Sequence, residues 1–249
     1  MNNLYTSIIA KVVESGKRIK SKAGAIEDIG KKKRWLTEED IAIERDLKAI
    51  IQAHAPQHLY CAEEENTKYT SAEDVWVVDP ISGTRSFINN SGAYGIVAAY
   101  LHNGEVVFSV VYDPIRGELF TAEKGKGAFC NAVQLQKQDG PETILLRVSY
   151  SWKDEKAALA VRQALSAYHV KEVDGSMAIS ECQLAAGRCS GVICLTKDSF
   201  PHFASSLIVQ EAGYKYSNAK GNSQINFDDR IFVSGNSKYY EILFGIVRK

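Results

Sequence analysis

No apolar run in this chain of 249 residues approaches the length needed to cross a bilayer. Net charge is missing too, since 30 Lys and Arg balance 30 Asp and Glu. That balance removes the global electrostatic reason to expect a nucleic-acid polymer or an anionic membrane as partner, while leaving room for a local anion site. Histidine is scarce, five in all, with no H-E-x-x-H and no paired spacing that suits zinc. The G-x-x-x-x-G-K-[ST] run is absent, so the glycines around Lys124 and Lys126 read as a β-corner and not a nucleotide loop. The G-x-S-x-G elbow of serine hydrolases is absent as well. Cysteine is sparse and odd in number: Cys61, Cys130, Cys182, Cys189 and Cys194. Their spacings are not those of zinc sites, and buried free thiols in a reducing compartment are expected. The stretch MNNLYTSIIAKVVESGKRIK has no secretory apolar core or cleavage site, so a cytoplasmic location is expected.

What is there alternates in period. Leu4, Ile8, Ile9, Val12 and Val13 fall on one helical face within residues 3–22. The basic run KKKR, from Lys31 to Arg34, reads as a solvated loop. It precedes a second helix, with Thr37 as N-cap, Asp40 at the capping-box position, and Ile41, Leu47, Ile50 and Ile51 as the apolar side. The period then shortens. LYCAEEE and VWVVDP read as buried strands, and GIVAAYLHNGEVVFSVVYDP as a hairpin turning at Asn103-Gly104. Short strands with glycine corners follow to about residue 140. Beyond that point strands and helices alternate, which predicts an α/β layer. Two lobes sharing an interface are expected, residues 1–140 and 141–249, forming one compact unit.

Acidic residues cluster where strands end. Glu63, Glu64 and Glu65 follow one strand, and Asp79 ends the next. If these strands are neighbours, their carboxylates meet in a hard-oxygen site suited to Mg²⁺. The Gly83-Thr84 amides would then point donors at an anion beside the metal. Acid, metal and anion cradle together suit phosphate chemistry. A solvated strand end followed by an ordinary turn is the plainer alternative.

The stretch WVVDPISGTRSF, Trp76 to Phe87, resembles the signature W-[VI]-[VI]-D-P-[IL]-D-G-T-x-[NS]-F of the inositol monophosphatase family at all positions but one. AEE at 62–64, DPIRGELFTAEKGKGAFCN, GSMAISECQLAAGR and SSLIVQEAG resemble further family segments, in family order. The resemblance implies an α/β, α+β layered fold, the five-layer αβαβα sandwich of the inositol monophosphatase and fructose-1,6-bisphosphatase type. It also implies Mg²⁺-dependent, lithium-sensitive phosphatase chemistry, a small phosphorylated substrate or ligand, and a homodimer. By the same resemblance Glu63, Asp79 and the Ile81 carbonyl hold a first metal. Asp40 and Thr84 assist the attacking water, and Gly83 and Thr84 hold phosphate. Gly175, Ser176 and Cys194 stand near the substrate. For Asp40 a purely helix-capping role stays open beside the catalytic one.

The departures concentrate on the second metal. Ser82 replaces the second Asp of the signature, and Pro201 falls where the family has the Asp of W-D-V-A-A. Asp198 and His202 are the candidates to fill that gap. Losing one well-placed electrostatic stabiliser typically costs about a hundred- to a thousandfold in rate. The less acidic site would hold an anionic ligand with less metal than usual. Three functions follow as expectations. The first is a metal-dependent phosphomonoesterase on an inositol- or sugar-like phosphate, with altered activity. The others are an impaired relative that binds a phosphorylated ligand or a protein partner, and a nucleotide 3′,5′-bisphosphate phosphatase.

Overall fold

The computed structural model describes residues 2–31, 35–64 and 74–248. Most of the KKKR run and Glu65 therefore lie outside the described residues. The outermost layer holds two helices, α1 (Asn3–Lys22) and α2 (Glu38–His54). Asn2 caps α1, its side chain accepting from the Leu4 amide at 3.0 Å. Leu4, Ile8, Val12 and Ile19 are buried, while Ile9 and Val13 pack at the margin of the same core. Arg18 donates to Glu39 at 2.7 Å and so ties α1 to α2.

The apolar side of α2 differs from the sequence expectation. Its buried stripe is Asp40, Ile43, Glu44, Leu47 and Ile51, and Ile41 is 49% exposed. Burial of Asp40 by the capping box turns the stripe toward that residue. Ile41, one position on, then rotates out to solvent.

Beneath the helices lies a seven-stranded sheet in sequential order. It comprises β1 (Leu59–Ala62) and β2 (Asp74–Ser82), then, after the short helix α3 (Thr84–Asn89), β3 (Gly95–His102) and β4 (Glu105–Asp113). The strands β5 (Glu118–Glu123), β6 (Gly127–Cys130) and β7 (Val133–Gln134) complete it. Only the β1–β2 pair is parallel. The β3–β4 turn is Asn103-Gly104, both residues at positive φ as a tight hairpin requires.

A second, five-stranded sheet is built from β8 (Ile144–Val148), β9 (Val170–Glu172), β10 (Gly191–Leu195), β11 (Lys215–Asn218) and β12 (Ile231–Gly235), in the order β11-β12-β10-β8-β9. The helix α4 (Glu155–Ala164) and the last helix, α7 (Ser237–Val247), cover its outer face. Between the sheets run α5 (Met177–Ala185) and α6 (Phe200–Glu211). Every residue of α6 from Phe200 to Val209 is buried, as an apolar helix with a sheet on either side must be. Alternation along each strand feeds the cores on its two faces. In β2, Trp76 and Val78 join the core under α1 and α2, while Val75 and Val77 join the core around α5 and α6. The result is the five-layer αβαβα sandwich.

Four of the five cysteines are buried free thiols, and Cys130 is half-exposed. Among the described residues no helix is long and apolar enough to cross a membrane.

Candidate active site

The parallel β1–β2 register pairs Ala62 with Val78, and the Glu63 amide donates to the Val78 carbonyl at 3.1 Å. Glu63 and Asp79 therefore lie side by side, as expected from their sequence positions, although β2 continues past Asp79 to Ser82. Pairing of β2 with β3 slips between Asp79 and Ser82, a bulge that bends the chain into Gly83. Gly83 has φ +86°, and a Cβ there would sit 2.7 Å from the Ala93 carbonyl oxygen and 2.8 Å from the Ser176 amide nitrogen. Only glycine fits that close approach. The chain then enters α3, and the Thr84 hydroxyl donates back to the Ile81 carbonyl at 2.7 Å.

Asp40 meets this corner from the other side. Its Oδ2 accepts from the Thr37 amide at 2.8 Å and the Thr37 hydroxyl at 2.5 Å, closing the capping box. Its Oδ1 lies 3.5 Å from Thr84 Oγ1. The two alternatives left open for Asp40 thus share one carboxyl group: it caps α2 and also faces Thr84. Burial drives its pKa up to about 8, with the Glu64 and Glu63 carboxylates adding to the rise against the hydrogen bonds from Thr37.

Glu63, Asp79, Ile81, Ser82, Gly83, Thr84, Gly175 and Pro201 all line one cavity. Its other walls hold side chains that the sequence reading missed. Arg147, on β8, is almost fully buried; its Nε donates to the Gly175 carbonyl at 2.9 Å, one terminal nitrogen donates to the Val148 carbonyl at 2.5 Å, and the other lies 3.2 Å from Asp174. Lys197, just after β10, places Nζ 2.9 Å from Glu63 Oε1 and 3.6 Å from Asp198 Oδ2. Burial alone would lower the pKa of Lys197, but the charges of Glu63 and Asp198 outweigh that and hold it raised. Arg85 sits between two rings, its Cζ 5.9 Å from the centre of Trp35 and 5.7 Å from that of Tyr150. A signal was available for Arg147, because an arginine inside the apolar strand ILLRV needs a polar destination.

The donor set fits a divalent cation. Glu63, Asp79 and the Ile81 carbonyl are hard oxygens brought to one cavity wall, the chemistry Mg²⁺ prefers. The two departures from the family pattern offer fewer ligand atoms to a second cation. The Ser82 hydroxyl accepts from Ser176 Oγ at 2.8 Å and so ties β2 to the start of α5, and Pro201 has no donor atom.

His202 does not fill that gap. It is fully buried and its Nδ1 donates to Glu181 Oε1 at 3.0 Å, with Tyr216 Oη at 3.1 Å and the Phe232 ring stacked at 3.9 Å. Placed one residue beyond Pro201 on α6, it turns about 100° away from the cavity. Asp198 does reach the cavity. Cys194 does not line the cavity: it lies on β10 opposite Arg147, fully buried in the core between the sheets. Counting residues back from α6 placed it at the wall, whereas the wall position is taken by Lys197.

Comparison with known proteins agrees with this geometry. A sequence model of the inositol monophosphatase family matches residues 3–249. The chain is 31% identical over 214 residues to the Nus factor SuhB of Haemophilus influenzae, covering 83% of this chain and 78% of the relative. It is 28% identical over 203 residues to the inositol-1-monophosphatase of Bacillus subtilis, covering 78% and 76%. Among solved structures, the Thermotoga maritima IMPase superposes with a TM-score of 0.83 at 25% identity, over 99% of this chain and 97% of that one. A staphylococcal inositol monophosphatase soaked in lithium chloride gives a TM-score of 0.83 at 21% identity, over 100% and 96%. With the family pattern matched along nearly its whole length and the same sandwich beneath it, this chain belongs to the inositol monophosphatase family.

Proposed function

We propose that the cavity binds a small phosphate monoester of inositol or sugar type and hydrolyses it slowly with one divalent cation. The observation that carries this reading is the placing of Thr84 Oγ1 beside both the Ile81 carbonyl, at 2.7 Å, and Asp40 Oδ1, at 3.5 Å, on the wall shared with Glu63 and Asp79. Mg²⁺ held by Glu63, Asp79 and the Ile81 carbonyl would supply an acidified water. The protein does the rest. Thr84 Oγ1 orients that water, and Asp40 behind it accepts the proton. The water oxygen forms its bond to phosphorus as the ester oxygen leaves with the bonding electrons and takes a proton from solvent. Without a cation Asp40 holds its own proton up to about pH 8, partly because of the neighbouring Glu63 and Glu64 charges. Burial is the main cause of that rise, and neutralising the two carboxylates would remove only the smaller part of it, moving Asp40 toward the base form. A cytoplasmic, homodimeric protein with lobes 1–140 and 141–249 belongs to the same reading.

Ser82 and Pro201 favour a second reading, a catalytically silent member that binds a phosphorylated ligand or a protein partner. Phosphate release from inositol, sugar and nucleotide phosphates, across Mg²⁺ and Mn²⁺ concentrations, separates the two. Metal-dependent turnover is expected, absent in Asp79→Asn. It should run about a hundred- to a thousandfold below that of a relative with both metal sites intact. Folded protein with no release above the Asp79→Asn variant on any substrate would leave only the binding reading.

A further inference from the structure

Two acidic positions of the family pattern are lost from this cavity, and the cavity carries cationic side chains of its own. Lys197 Nζ stands 2.9 Å from Glu63, one of the oxygens assigned to the retained cation, and 3.6 Å from Asp198. Its side chain is 35% exposed and lines the cavity. Arg147 is of the opposite kind. Its guanidinium is fixed to the Gly175 and Val148 carbonyls, has its third nitrogen 3.2 Å from Asp174, and sits at the back of the same cavity. Arg offers a planar fork that stays charged, and Lys a compact charge on a flexible stem, which together suit a tetrahedral oxyanion. Exposed ion pairs at protein surfaces contribute little. The Lys197–Glu63 pair is placed otherwise, joining a cavity carboxylate that is itself largely covered.

Resting on the phosphate-ester reading, we propose that Lys197, with Arg147 behind it, replaces the second divalent cation and holds the phosphate group of the ligand directly. Lys197 moves from Glu63 and Asp198 onto the phosphate oxygens when the ligand enters. Loss of the acids at Ser82 and Pro201 leaves fewer carboxylates to compete with a phosphate for the Lys197 ammonium, which the structure holds against Glu63 and Asp198. The affinity for a phosphate ester becomes independent of divalent ions, whereas turnover still needs the single cation.

The test is calorimetric titration of the full chain with inorganic phosphate and with myo-inositol 1-phosphate, in EDTA and in Mg²⁺. Wild type is expected to bind in EDTA within about threefold of its affinity in Mg²⁺. Lys197→Met keeps the aliphatic stem at a position of partial exposure and should weaken binding in EDTA by about tenfold or more, while Lys197→Arg restores most of it. Binding that appears only with Mg²⁺ would overturn this proposal and leave the phosphate-ester reading standing. So would a Lys197→Met variant that binds as tightly as wild type in EDTA. No binding to folded protein under either condition would overturn both.

Discussion

One oxygen of Asp40 closes the capping box at the start of α2, and the other lies 3.5 Å from Thr84. Its pKa of about 8 in the cation-free protein makes a stability statement with a definite sign. An unfolded Asp titrates near 3.9. Between that pH and about 8 the native state keeps a proton that the unfolded chain has lost, so stability falls as pH rises through this window. Asp40→Asn removes the titration while its amide oxygen still accepts from Thr37. In EDTA the variant is expected to melt like wild type at about pH 4, where the unfolded chain has only begun to lose the proton. At pH 8.5 it should be more stable by on the order of 1 kcal/mol or more, each kcal/mol raising Tm by about 2–4 °C in a chain of this size. Thermal melts at the two pH values decide the matter, and an equal shift at both would contradict the assignment. The same substitution removes the proposed base, so a rise in Tm should accompany a loss of phosphate release.

The contact between α5 and α6 is set by a buried polar cluster in which Glu181 accepts from His202 Nδ1 and from the Ser205 hydroxyl, with Tyr216 beside them. Glu181→Ala removes the shared acceptor, leaving Ser205 Oγ only the Pro201 carbonyl and His202 Nδ1 only Tyr216 Oη, and is expected to cost about 1–3 kcal/mol in urea unfolding. A change below about 1 kcal/mol would mean that the cluster is not what holds the two helices in place. Elements such as α6 were legible in the sequence, because a mostly apolar stretch of this length with Pro201 in its first turn suits a buried helix. The hairpin turning at Asn103-Gly104, the capping box of α2 and the strand ends at Glu63 and Asp79 were legible for the same reason, each being a local pattern with a local cause. The cavity's cations were not. Lys197 and Arg147 come from strand ends of the second sheet, and their approach to Glu63 and Gly175 depends on how the layers stack. Counting residues back from α6 carried Cys194 to the wall and His202 into the gap. Strand register and helix rotation send both side chains into the interior instead.

Across the whole molecule the cavity is where the two sheets are joined. Ala93 and Gly175 form an isolated bridge, Ser176 donates to Ser82, and Arg147 donates to the Gly175 carbonyl. The fit is close: a Cβ on Gly175 would lie 2.0 Å from the Ala93 carbonyl oxygen. Glu63 and Asp79 come from strand ends of the seven-stranded sheet, whereas Arg147 and Lys197 come from those of the five-stranded sheet. A phosphate ester bound among them touches both halves, and its binding energy resists the separation of either. A ligand at a hundred times its Kd adds about 2.7 kcal/mol to the folded state. For a chain of this size that corresponds to a rise in Tm of about 5–10 °C. Scanning calorimetry with myo-inositol 1-phosphate should show one cooperative transition moving upward by that amount. Two transitions, with only one of them shifted, would mean that the ligand is held by one sheet alone and that the charges facing each other across the cavity do not act together.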